Sequence, residues 1–144
     1  MTNSALFPAC VAALFVATLG AFSARAADAP AAGSDRVFEL RKYYANPGKL
    51  DALNTRFRDH TNKLFEKHGM TIIAFWTPIE GKDAKDVLIY ILAYPSREAA
   101  TKSWKEFQDD PDWKAAKAES EKDGALVNHV EQTYMKPTDY SPMK

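Results

Sequence analysis

The chain has 144 residues, room for one domain of ordinary size and too little for two. Its 19 Lys and Arg balance 19 Asp and Glu to a formal net charge of +0, so there is no surplus of positive charge to hold a nucleic-acid backbone, and nucleic acid is not an expected partner. With 46% hydrophobic and 12% aromatic residues, the composition is that of a chain with a core and excludes a disordered one.

Ala5 to Phe22 is an apolar run without a charge, and small residues ending in Ala24-Arg25-Ala26 follow it. This is the pattern of a secretory signal over residues 1–26, cleaved before Ala27. Met1 to Ser4 holds no Lys or Arg, which leaves a retained membrane anchor as the alternative. The sole cysteine, Cys10, lies inside the run, and Phe7-Pro8-Ala9 before it makes a poor lipoprotein signal. Cleavage leaves a chain without cysteine, hence without disulfides, thiolate catalysis or cysteine metal sites. A periplasmic or secreted protein that no longer touches the membrane is the expectation.

Residues 27–35, rich in Ala, read as a flexible leader to a domain spanning 36–136. Val37 to Tyr44 alternates as a strand does, with Phe38 and Leu40 on one face and Glu39 and Arg41 on the other. Asn46 suits an N-cap and Pro47 a first helical position, which predicts a helix from Pro47 to His68 stopped by Gly69. Leu50, Leu53, Phe57 and Leu64 form its apolar stripe. Thr71 to Thr77 reads as a second strand, and Val87 to Tyr94, apolar on both faces, as a central third strand. Ser96 caps a second helix carrying Ala100, Trp104 and Phe107, which Asp110-Pro111 restarts through Trp113 and Ala116 to about Glu121. Leu126 to Met135 is the last strand, and 137–144 an extended tail.

Strand, helix, strand, strand, helix, strand is the split β-α-β order of ferredoxin-like α+β folds, a four-stranded antiparallel sheet with both helices on one face. A third strand that is apolar on both sides needs cover on the second face. A second copy of the sheet is the simplest cover, so a homodimer is expected.

Five pieces of this chain resemble the NIPSNAP family over about Val37 to Tyr134: Val37-Phe38-Glu39-Leu40-Arg41-Lys42-Tyr43, Pro47-Gly48-Lys49, Phe75-Trp76-Thr77, Tyr94-Pro95-Ser96 and Asp110-Pro111-Asp112-Trp113. The resemblance implies a dimeric α+β barrel, two ferredoxin-like sheets packed face to face with helices outside. It implies no particular reaction, because NIPSNAP proteins have no agreed enzymatic activity. Wider relatives of the barrel include cofactor-independent monooxygenases and haem-degrading enzymes, an analogy of fold and not of site.

Candidate ligand-binding residues are Glu39, Arg41, His60, His68, Trp76, Tyr90 and His129. His60 and His68 fall in the sector of the apolar stripe, where they serve either as polar groups of a pocket or as locally bonded imidazoles at its edge. No acid or third ligand at metal spacing accompanies them, so neither a metal nor a cofactor is expected. Glu39 and Arg41, with His129 and Glu131 on the neighbouring last strand, form either a polar barrel cavity in which Arg41 meets a ligand carboxylate or phosphate, or a structural network with Glu131. Trp76, Trp104, Trp113, Phe75 and Tyr90 are chiefly core. The reading is an exported dimeric barrel protein that binds a small, partly apolar ligand without turnover. A cofactor-independent monooxygenase or haem-processing enzyme is the alternative, and an interaction module acting through 137–144 or a helix face is a third. N-terminal sequencing of protein recovered from periplasm or medium should begin at or near Ala27; a membrane-bound chain still starting at Met1 would make the run an anchor.

Overall fold

The computed structural model describes Met1, residues 36–82 and residues 84–144. The signal expected over residues 1–26 and the leader expected over 27–35 lie, Met1 apart, outside the described residues. Strands β1 (Val37–Ala45), β2 (Thr71–Trp76), β3 (Val87–Tyr94) and β4 (Val127–Met135) form one sheet in the order β2-β3-β1-β4. Every pairing is antiparallel. The two strands with most apolar residues are central, and the arrangement is the ferredoxin-like one that the element order predicts.

The first helical segment departs from expectation at its start and in its middle. Gly48 adopts φ 74°, which interrupts helical geometry between Pro47 and the first true turn. The helix therefore begins with α1 at Leu50–Arg56, Lys49 is its uncapped N-terminal neighbour, and the Asn46 amide donates instead to the Ala125 carbonyl at 2.7 Å. A π-helical turn then spans Phe57–Thr61 before α2 continues over Asn62–Lys67. The widened turn delays the apolar stripe by one residue. Leu53, Phe57, Thr61, Leu64 and Phe65 are buried, whereas His60, which uninterrupted 3.6 spacing places at the core edge, is exposed. Gly69, at φ 72°, stops the segment as predicted: its N–H donates to Glu66 and that of Met70 to Phe65, a Schellman closure.

Ser96 caps α3 (Arg97–Asp109) through the Ala99 N–H at 3.2 Å. Asp110 caps α4 (Pro111–Ser120), its Oδ1 accepting from the Asp112 N–H at 2.7 Å. Because a residue before proline is held out of the helical region, Asp110 is extended and breaks the run into two helices with different directions.

All helices lie on one face of the sheet. That face buries Tyr90 and Leu92 of β3 and, from β1, Glu39. A chain of ring contacts crosses the core from Phe75 to Tyr90 (5.4 Å), Phe65 (5.9 Å), Phe107 (5.0 Å) and Trp113 (4.5 Å). Phe38, Leu40, Lys42 and Tyr44 of β1 point to the opposite face, beside Ile89 and Ile91. The chain itself covers both ends of that second face. Pro137, Thr138, Ser141 and Met143 pack around Phe38 and Ile91, and residues 78–82 lie against Lys42, Tyr44 and Ile89. The Arg36 guanidinium holds the Lys144 carbonyl. Leu40, Ile89 and Ile91 between them are half-buried.

These facings separate two neighbouring substitutions. Tyr90→Glu buries a second carboxylate among Tyr43, Phe57, Phe65 and Phe75, beside an Arg41 that Glu39 already engages, and should cost about 3 kcal/mol or more, whereas Ile89→Glu on the other face should cost about 1 kcal/mol. Urea unfolding of the two variants measures the difference, and equal losses would reverse the facing assigned to β3.

Candidate functional site

Glu39 is fully buried at the centre of the sheet, on its helix side. A carboxylate there requires donors, and three side chains supply them. The Tyr94 hydroxyl of β3 donates to Oε2 at 2.7 Å, the Trp104 Nε1 of α3 donates to the same oxygen at 2.6 Å, and Arg41 Nη1 donates to Oε1 at 2.8 Å. Burial, and then the Glu39 charge, hold the Tyr94 hydroxyl far above the ordinary tyrosine range, so it remains a donor.

Arg41 lies two residues further along the same face of β1. Its guanidinium packs 4.1 Å from the Trp104 ring centroid and 5.4 Å from that of Tyr43, and Nη1 also donates to Gln132 Oε1 at 3.2 Å. Burial opposes its charge; the hydroxyls of Tyr43 and Tyr90 and the Glu39 carboxylate outweigh it and raise its pKa. Arg41 Nε is buried without a hydrogen-bond partner among the described residues, and so is the hydroxyl of Tyr90, its cross-strand neighbour.

Above Arg41 the structure opens into a cavity of about 620 Å³. Arg41 and Tyr43 form its floor, Trp104, Phe107 and Gln108 of α3 one wall, and Trp113, Lys114 and Lys117 of α4 the other. The break at Asp110-Pro111 accounts for the space. It sends α4 towards α1, where Arg56 pairs with Glu121 at 2.8 Å and lies 5.2 Å from the Trp113 ring, so α3 and α4 diverge over β1. A second cleft, of about 300 Å³, lies across Trp104 and Gln108 and also reaches Arg41, together with Arg97, Lys105, Gln132 and Tyr134.

The helix break is itself anchored. Asp110 Oδ2 meets Lys67 Nζ at 2.8 Å and His68 Nε2 at 2.7 Å, and the bonds from Lys67 and then His68 draw its carboxyl well below the usual range. His68 is thus a local partner at the end of α2.

A family model for NIPSNAP matches residues 38–142. The chain belongs to the NIPSNAP family. Among solved structures it resembles a NIPSNAP family protein with unknown function from Agrobacterium tumefaciens, at 20% identity and a TM-score of 0.67 over 77% of this chain and 96% of that one. An uncharacterised NIPSNAP-like domain protein from Burkholderia xenovorans matches at 14% identity and a TM-score of 0.67, over 76% and 91% of the two chains. SnoaB, a cofactor-independent oxygenase from Streptomyces nogalater, matches at 12% identity and a TM-score of 0.50, over 75% and 98%. At these identities the likeness is one of fold. No curated protein matches the chain.

Within this NIPSNAP fold the candidates separate. Glu39, Arg41 and Tyr90 gather on the helix side, which corrects the expectation that Glu39 and Arg41 face a barrel interior. His129 and Glu131 adjoin β1 as expected but point to the opposite face, where His129 stacks on Tyr44 at 4.2 Å and Glu131 meets Lys42 at 3.8 Å. Gln132 takes the place foreseen for Glu131 beside Arg41. Trp76 is 47% exposed on that opposite face, and His60 is exposed on the π turn. The sequence reading missed Tyr94 and the Trp104 N–H as partners of Glu39, and Gln108, Lys114 and Lys117 as cavity residues. Lys114, Lys117 and Glu121 do share one helical face, the signal available for them.

The Asp110 contacts carry a pH signature. Its folded pKa lies well below the ordinary 3.8, so its contribution to stability is complete above about pH 5, begins to fall near the ordinary value and is lost as pH falls through the depressed folded pKa. Asp110→Asn keeps a cap but not the charge. Thermal melts should show the variant several degrees below the parent at pH 7, with the gap narrowing steadily as pH is lowered below about 4; a gap that stays constant would leave the Lys67 and His68 contacts without weight.

Proposed function

We propose that this NIPSNAP protein is exported, forms a homodimer and binds a small, partly apolar ligand in the cavity between α3, α4 and β1, without turning it over. One observation carries the reading: a cavity of about 620 Å³ whose walls set Trp104, Phe107 and Trp113 beside Gln108, Lys114 and Lys117, over a floor of Tyr43 and of Arg41, a cation fixed by Glu39. Aromatic walls with a few placed polar groups, at this volume, are the ordinary form of a small-molecule site.

Binding without turnover follows from the polar groups present. Glu39 has both oxygens occupied by donors and is sealed from the cavity by Arg41 and Trp104, so it is not placed to take a proton from a ligand. Glu121 is held by Arg56. His60, His68 and His129, on which an oxygenase or haem-processing role depends for a base or an iron ligand, lie elsewhere. Half-buried Leu40, Ile89 and Ile91 support the homodimer, a second copy covering the centre of the sheet face between tail and loop. Export rests on the Ala5 to Phe22 run and its Ala24-Arg25-Ala26 ending.

Native mass spectrometry of the mature protein from its own host should give twice the chain mass with a small-molecule adduct. Ile89→Glu should yield folded monomers by light scattering, and Trp113→Ala should lose the adduct. A ligand-free monomer from the parent would sink both parts of the reading.

A further inference from the structure

We propose that the ligand is an anionic aromatic, a planar ring system bearing a carboxylate, seated with its acid on Arg41 and its ring between α3 and α4. This rests on the cavity-binding reading above and names the class of molecule that the cavity selects.

The charge around Arg41 is one-sided although the whole chain sums to +0. In the larger cavity Glu39 answers the Arg41 charge at 2.8 Å and the one lining acid, Glu121, is engaged by Arg56 at 2.8 Å, so Lys114 and Lys117 stand in excess. The cleft on the other side of Trp104 adds Arg97 and Lys105 and is lined by no carboxylate among the described residues. Lys105 is paired with Asp109 at 2.7 Å and Lys114 Nζ donates to the Asp109 carbonyl at 3.0 Å, but the Lys117 ammonium has no hydrogen bond or ion pair among the described residues. A neutral ligand leaves this excess unanswered, and a cation is repelled by it.

The geometry of Arg41 narrows the anion to one with paired oxygens. Both of its hydrogen bonds, to Glu39 and to Gln132, use Nη1. Nη2 makes none among the described residues, and the Nε beside it is buried and unpartnered. The unused Nη2 is the donor a carboxylate oxygen meets first, and Nε, on the same edge, is the second arm of the planar fork once the acid is seated against it. Trp104 covers the face of the guanidinium at 4.1 Å, so approach is in the plane of the fork. Beyond it, the half-buried Trp113, backed by the core residue Phe107 at 4.5 Å between centroids, offers flat apolar surface to a ring.

The test uses the mature protein, with tryptophan fluorescence and calorimetric titration against two probes of one shape, 2-naphthoate and the neutral 2-naphthamide. Naphthoate should bind about tenfold or more tightly than the amide, a preference that shrinks at high salt. The double variant Glu39→Gln/Arg41→Met removes both buried charges together and should abolish the preference, with naphthoate and the amide binding the variant equally. Should that variant fail to fold, Lys117→Gln on the exposed rim remains informative: it should weaken naphthoate about two- to threefold and leave the amide unchanged. Equal binding of the two probes by the parent would overturn acid selectivity and leave the cavity-binding reading standing. Binding of neither probe at millimolar concentration would remove both.

Discussion

A carboxylate with no exposure, held at the middle of a sheet, sets the geometry of everything around it. A buried carboxylate must receive donors, and those of Glu39 come from three different places: Tyr94 from β3, Trp104 from α3 and Arg41 from β1 itself. Each bond fixes a different degree of freedom. Tyr94 pins the pairing of β1 with β3, Trp104 sets the height and rotation of α3 over the sheet, and Arg41 neutralises the charge and is oriented in return. Removing one partner of such a pair leaves a buried charge, at a cost of about 3–5 kcal/mol, whereas an apolar replacement of the entire cluster is often neutral. The contribution of the cluster is therefore more to specifying one arrangement than to raising stability.

Two irregularities in the helical layer shape what lies over that arrangement. The π turn inserts one extra residue into the first helix, so that Thr61 takes the inward place and donates to the Arg56 carbonyl at 3.3 Å. The Asp110-Pro111 break turns α4 away from α3, and the Lys67 and His68 contacts to Asp110 hold the break at the end of α2. An uninterrupted helix from Arg97 to Ser120 would run past Trp113 and leave no pocket over Arg41. The cavity is thus a product of a proline, a cap and an ion pair outside its own lining.

Much of this fold was legible in the sequence because its signals are local. Period-two alternation in β1, the two-sided apolar run of β3, the caps at Ser96 and Asp110 and the stop at Gly69 each depend on a few consecutive residues. The first helix was misjudged where local signals conflict: Asn46-Pro47 resembles a helix start, but Gly48 takes a left-handed conformation and Asn46 is used across the chain by Ala125. His60 was misplaced because nothing in the spacing of Phe57 and Leu64 announces a π turn. The site was half legible. Alternation put Glu39 and Arg41 on one face together, but which face meets the helices depends on how the layers stack, and the Tyr94 and Trp104 donors lie 55 and 65 residues away from Glu39. Residues that distant come together through strand pairing and helix docking, which the pattern around Glu39 does not encode.

Strand β1 serves two surfaces that cannot communicate directly. Glu39, Arg41 and Tyr43 face the helices, while Phe38, Leu40, Lys42 and Tyr44, their immediate neighbours in sequence, face the other side of the same sheet. The charged pair on that second side, Lys42 with Glu131, is 41% and 56% exposed at 3.8 Å and so contributes little, in contrast to the sealed Glu39 and Arg41 pair. With hydrogen-bonded backbone between the faces, nothing that docks on Leu40, Ile89 and Ile91 can reach Arg41. Access to the guanidinium is confined to the gap between α3 and α4 and to the cleft bordered by Gln132 and Tyr134 on the β4 side. Association of two copies through their sheets therefore leaves both openings on the outer, helical surface, and occupancy of the cavity is compatible with either assembly state.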